Sequence, residues 1–239
     1  MHKGKLGVIG GMGPQATLQF CQRILDLTDA HSDQEHLPML ILNDTEMPDR
    51  TAALLSGDPA PVTARLLADA RVLESWGATA IAITCNTAHA FLPNLEGELK
   101  VPVVNMVTEA AAALKRLGCK RVGILATDGT LRVGLYHKAL EARGIQPLTP
   151  PPEAQARVMD IIYGEIKKGL PGSEEKFAAA DKALRDQGCD RILLACTEMS
   201  TYKDWHGLDD FYVDAMDVLA LRCIRLCGYP LRDMQSQPD

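Results

Sequence analysis

No apolar run in this chain approaches the ~18 residues that a membrane-spanning helix needs, which sets aside a membrane-embedded class. The opening "MHKGKLGVIGG" lacks a long apolar stretch followed by a small-residue cleavage site, so the expected setting is cytoplasmic. Lysines and arginines form no basic stripe and the formal net charge is −6, which argues against a nucleic-acid partner. Neither Cys-x-x-Cys nor His-x-x-x-His occurs, so nothing has metal-ligand spacing and no metal is expected. The seven cysteines (Cys21, Cys85, Cys119, Cys189, Cys196, Cys223, Cys227) cannot all pair with one another. They read as free thiols of a reducing compartment, mostly buried.

What is present is ordinary for a folded protein: 239 residues, 46% apolar and 23% charged. That length suits one large or two small domains. Short apolar runs, "KLGVIGG", "MLILND", "AIAITCN", "VPVVNM", "RVGILAT", "RILLACT" and "FYVDA", alternate with helical patterns and read as parallel strands covered on both faces. The fold class is α/β.

The order of parts repeats. Strand "LGVIGG", helix "PQATLQFCQRILDLT", strand "MLILND", helix "PVTARLLADARVLESWG" and strand "AIAITCNT" are matched in the second half. There the series is "RVGILAT", "LRVGLYHKALEARG", a short "IQPLTP" piece, "SEEKFAAADKALRDQG" and "DRILLACTE". Gly7 and Gly123 lie 123 − 7 = 116 positions apart, Cys85 and Cys196 lie 196 − 85 = 111 apart, and Gly77 and Gly188 end the helices before the cysteine strands. "VPVVNMVTEAAAAL" and "FYVDAMDVLALRCI" continue the match. The expected architecture is two similar doubly wound parallel-sheet domains related by a pseudo-two-fold, with the active site in the cleft between them. The expected division is 1–100 plus 210–239 for the first domain and 101–209 for the second.

Ligands of open parallel sheets sit beyond the carboxyl ends of the strands, where Cys85 and Cys196 both fall. Two matched groups on opposite sides of one carbon suit stereochemical inversion, in which one removes a proton and the other delivers one. A thiol fits because its reference pKa of about 8.5 lets one cysteine be thiolate while its partner keeps its proton. A helix N-terminus after each strand is expected to lower the pKa further. The other five cysteines read as core residues.

The segments "GVIGGMGPQAT", "MPDRT", "ITCNTAH", "IYGEIKKG" and "ACTEMS" resemble the aspartate/glutamate racemase family, in its cofactor-independent aspartate racemase branch. The resemblance covers nearly the whole chain. It implies a two-domain α/β fold, a homodimer, and racemisation of a small acidic amino acid without pyridoxal phosphate or any other cofactor. It makes Cys85 and Cys196 the acid/base thiols and gives Asn86, Thr87 and Thr197 to the substrate. Arg50 and Lys167 would hold its carboxylates, with Lys168 the rival that only the motif excludes. Where the family commonly has glycine before the second Cys-Thr-Glu, this chain has Ala195.

The residues themselves lend Arg50 and Lys167 support, since each lies just before the helix leading to a cysteine strand and a dicarboxylate needs more than one cation. Glu198 reads either as an orienting group for Thr197 or a thiol, or as a helix-dipole partner. His89 reads as a helix-surface histidine, with a contact behind Cys85 as the alternative. His31 and His36 sit in a polar loop. Gly11-x-Gly13-x-x-Ala16 with Asp44 also fits the dinucleotide fingerprint, whereas in the racemase reading the same loop brings bare backbone and Met12 to the substrate. Glutamate follows aspartate as candidate substrate. Other readings are a dicarboxylate isomerase or decarboxylase of the same superfamily, an NAD-binding protein, and a non-catalytic amino-acid receptor.

Overall fold

The computed structural model describes residues 3–232. The first run of elements is β1 (Leu6–Gly10), α1 (Pro14–Leu27), β2 (Met39–Asn43), α2 (Arg50–Ser56), α3 (Ala60–Trp76) and β3 (Ala80–Ile83). Helix α4 (Met106–Arg116) leads to the second run: β4 (Arg121–Leu125), α5 (Asp128–Val133), α6 (Leu135–Glu141), β5 (Gln146–Leu148), α7 (Pro152–Met159), α8 (Glu174–Asp186) and β6 (Arg191–Leu194). The chain closes with α9 (Thr197–His206), β7 (Tyr212–Asp214) and α10 (Ala215–Leu226).

The strands form two wholly parallel sheets, ordered β2-β1-β3 and β5-β4-β6-β7. The repeat extends to register: Gly7 stands opposite Leu40 and Ile81, and Gly123 opposite Leu148 and Ile192. It also explains the glycines. A Cβ on Gly7 would lie 2.9 Å from the Leu73 side chain, and one on Gly123 would lie 2.9 Å from Leu184. Leu73 and Leu184 are 184 − 73 = 111 positions apart, the cysteine offset, so the same helix presses on the same strand in each half. Gly123→Ala is therefore expected to cost about 1–3 kcal/mol through overpacking. Urea denaturation checks it, and an unchanged midpoint would show that Leu184 gives way freely.

Side chains along the strands alternate between two cores, as the pleat requires. Ala80 and Ala82, like Leu193 and Ala195, face a shared core built with α4 and α10. Ile81, Ile83 and Cys85 face the outer core under α3, while Ile192, Leu194 and Cys196 face the matching core under α8. Each cysteine thus ends the outer row of its strand.

Three expectations are corrected. "VPVVNM" is no full strand: only Val103 bridges to Ile81, because Pro102 has no N–H to donate and Asn105 already caps α4 with its side chain. "FYVDA", expected to complete the first domain, supplies β7 to the second sheet, while α10 packs on α1 and α4. "LRVGLYHKALEARG" is two helices, since Gly134 takes φ +68° and breaks it into α5 and α6.

Candidate active site

Where the carboxyl ends of the two sheets meet, Cys85 and Cys196 line one small cavity. The residues expected to meet the substrate line it too: Met12, Arg50, Asn86, Thr87, Lys167, Thr197 and Glu198. The space left is about 10 Å³, room for roughly one water. Closure comes partly from α2 meeting α5, where a Cβ on Gly129 would lie 3.0 Å from Thr51. A wider outer chamber of about 510 Å³ adjoins it, lined by Gly13, Leu18 and Trp205 among others. Met12, Arg50, Lys167 and Glu198 line both spaces.

Cys196 occupies the N-cap position of α9 without a side-chain bond to the helix N–H groups, and its Sγ donates to Glu198 Oε2 at 2.9 Å. The helix N-terminus was expected to lower this thiol's pKa, and the structure reverses that. Burial drives it well above the ordinary thiol range, the Glu198 carboxylate pushes it further, and the Lys167 ammonium only partly opposes them. Glu198 is therefore not just a dipole partner. Its other oxygen accepts from Lys167 Nζ.

Arg50 is buried at the start of α2 and donates to the carbonyls of Pro48 at 2.9 Å, Met47 at 3.2 Å and Met12 at 3.2 Å. Its Nε is buried without a partner. Burial presses the guanidinium pKa down, but the Cys85 sulfur, Asp49 and Tyr163 outweigh it and the net shift is upward. Lys167 behaves alike: burial lowers its pKa, and Glu198, Cys196 and Cys85 raise it by more. The Lys167 side chain is 23% exposed, and Lys168 is not among the cavity residues.

Asn86 Oδ1 accepts from the hydroxyl of Tyr136, a side chain 1% exposed, leaving Asn86 Nδ2 buried with no partner. Thr87 Oγ1 is within 3.0 Å of Thr127 Oγ1 and 2.9 Å of Thr130 Oγ1, a hydroxyl cluster joining the two halves. Behind Cys85, His89 is 3% exposed, which corrects its reading as a surface residue. Its Nδ1 lies 2.9 Å from the Cys85 carbonyl oxygen and its Nε2 3.4 Å from that of Val104, and burial lowers the imidazole pKa.

Sequence reasoning missed Thr51, Thr127 and Tyr163 in the cavity wall. Thr127 was within reach, since 127 − 11 = 116 makes it the repeat counterpart of Gly11. Tyr163 was not. After α7 the chain winds as a π-helical turn, Asp160–Glu165, then a 3₁₀ turn, Ile166–Lys168. This irregular winding, a common device at functional sites, presents both Tyr163 and Lys167 to the cavity. The Tyr163 hydroxyl, its pKa pushed up to about 12 by burial, donates to Asp49 Oδ2 at 3.2 Å.

The glycine loop has a local explanation. Gly11 takes φ +87°, and a Cβ there would lie 2.3 Å from Asp44 backbone atoms. Asp44, the acid that a dinucleotide ribose would need, is held by Arg65 through two hydrogen bonds of 2.5 and 2.7 Å. Among the described residues no group of three or more His, Cys, Asp or Glu has the geometry to hold a metal ion, and no helix is long and apolar enough to cross a membrane.

A sequence profile of the family described as Asp/Glu/Hydantoin racemase matches residues 9–223. Among solved structures, Picrophilus torridus aspartate racemase superposes with a TM-score of 0.82 at 32% identity, over 96% of each chain. The broad specificity amino-acid racemase RacX of Bacillus subtilis (strain 168) is 27% identical over 206 residues, 83% of this chain and 87% of its own. The glutamate racemase of Geobacter metallireducens is 31% identical over 152 residues, 61% of this chain and 54% of that relative. A chain with this α/β fold and these relatives is an amino-acid racemase. It belongs to the Asp/Glu/Hydantoin racemase family.

Proposed function

We propose that this chain racemises a small acidic amino acid, aspartate first and glutamate next, by proton transfer between Cys85 and Cys196 with no cofactor. The observation that carries the reading is the shared cavity. It holds both thiols, two cationic side chains, and two buried donors with no protein partner, Arg50 Nε and Asn86 Nδ2. Buried donors without acceptors are costly unless a ligand supplies acceptors, and a carboxylate does so. Likeness to an aspartate racemase over nearly the whole of both chains favours aspartate.

In the forward step the Cα–H bond breaks, the Cys85 thiolate takes the proton, and the electron pair stays on the substrate, spread into its α-carboxylate. The Cys196 thiol then delivers its proton to the opposite face. Arg50 and Lys167 offset the charge that develops. The reverse reaction swaps the thiols' roles. A homodimer and a cytoplasmic setting belong to the same reading, and seven unpaired cysteines agree with a reducing compartment.

The test is to incubate cofactor-free protein with L-aspartate in heavy water. Deuterium at the α-carbon together with D-aspartate is the expected result. No exchange with any acidic amino acid would sink the proposal.

A further inference from the structure

A two-thiol racemase ends each turnover in the wrong state for the next one in the same direction. If Cys85 starts as thiolate and Cys196 as thiol, the product leaves with Cys85 protonated and Cys196 deprotonated. Before the same enantiomer can react again, Cys196 must regain a proton and Cys85 must lose one, both by exchange with solvent. Yet both residues are nearly sealed, Cys85 at 6% and Cys196 at 5% exposure, around a space for about one water.

Four residues line both that space and the outer chamber: Met12, Arg50, Lys167 and Glu198. Met12 carries no exchangeable proton. Arginine keeps its proton throughout. Lys167 is held as an ammonium, its pKa raised by Glu198 and the two thiols against the opposing effect of burial. Of the four, only Glu198 hydrogen-bonds Cys196. One of its oxygens accepts from Cys196 Sγ at 2.9 Å, and the other, paired with Lys167, lies 3.2 Å from where a Cβ on Gly13 would sit, at the chamber wall.

We propose that Glu198 is the proton relay of Cys196, exchanging its proton with water in the outer chamber between turnovers. To unload Cys196, the S–H bond breaks with its electron pair left on sulfur, and an O–H bond forms at Oε2. The carboxyl group then turns about its Cγ–Cδ bond to bring that O–H to the chamber side, where it gives the proton to chamber water, and solvent base removes it. Reloading runs the same steps backwards. The relay rests on the two-thiol reading of the site.

Glu198→Gln keeps the shape and loses the exchangeable acid. Resetting of the free enzyme then becomes rate-limiting, so kcat is expected to fall about 10²-fold, the scale of one general acid/base contribution, and kcat/KM by a smaller factor. The distinguishing sign is oversaturation: the net rate falls as substrate is raised, and concentrated imidazole or formate buffer speeds the variant but not the parent. An equal fall in kcat and kcat/KM, with neither oversaturation nor buffer acceleration, overturns the relay. If Glu198→Gln does not fold, Glu198→Asp carries the test, because its shorter chain draws the carboxylate away from Sγ and should give a weaker form of the same signature. Parent-like kinetics in Glu198→Asp would then overturn it. A parent enzyme that exchanges no α-proton fails the two-thiol reading itself, whereas an active parent with an unremarkable Glu198 variant fails the relay alone.

Discussion

Cys85→Ser and Cys196→Ser are each expected to lower kcat for racemisation by about 10²–10⁴-fold, the contribution of a placed acid or base, while leaving the fold intact. Serine matches the shape of cysteine, but its hydroxyl ionises far above neutrality and can neither hold the resting negative charge nor give up its proton fast enough. The informative measurement is α-deuterium wash-in from each enantiomer separately. With Cys196 replaced, Cys85 still meets the α-hydrogen of one enantiomer, and once its new S–H has exchanged with solvent it returns deuterium to the same face, so slow exchange with retention is confined to that enantiomer. Cys85→Ser should show the opposite preference. This mirror pattern also identifies which thiol serves which enantiomer. Full racemisation in either variant would make the pair structural, as would equal loss of both exchanges together with a lowered melting temperature.

The mirror pattern follows from the fold. Cys85 ends the outer row of β3, at the edge of its sheet, Cys196 ends that of β6, inside its sheet, and both rows lie under the equivalent helix. That equivalence was legible because the side-chain period of a strand is two and the repeat offset is constant from Leu73 to Cys85 in one half and Leu184 to Cys196 in the other. The electrostatics around the thiols were not legible. Glu198 lies two positions from Cys196, close enough in sequence to suspect. Its reach to Sγ, however, depends on α9 starting at Thr197. Tyr136, which orients Asn86, is 50 positions away from it, and no local pattern marks the pair. His89 misled because an apolar-to-polar switch after a strand reads as an exposed helix. The segment Thr87–Leu95 winds instead as 3₁₀ and buries the imidazole between two backbone carbonyls. Elements with a strong period were readable; contacts made by irregular winding were not.

Arg50→Lys is the second substitution with a large expected effect, and it separates charge from shape. Lysine preserves the positive charge, so if charge alone held the substrate, KM would stay near the parent value. The geometry says otherwise. The guanidinium spends its Nη groups on the carbonyls of Met12, Met47 and Pro48, which fixes the plane in which the unpartnered Nε faces. A lysine ammonium has three donors on one atom and cannot serve three separated carbonyls while also reaching a carboxylate from the Nε position. Loss of one charge-assisted hydrogen bond is worth about 1.5–3 kcal/mol, so KM is expected to rise roughly 10–150-fold. Carbonyls left without donors should cost a further 1–3 kcal/mol or so of folding stability. Initial-rate kinetics and urea denaturation on the same preparation read the two effects separately. A raised KM with unchanged stability would mean that Arg50 acts on the substrate without bracing the loop at Met47 and Pro48. A lowered stability with unchanged KM would remove Arg50 from substrate binding and leave Lys167 and Asn86 as the carboxylate's anchors.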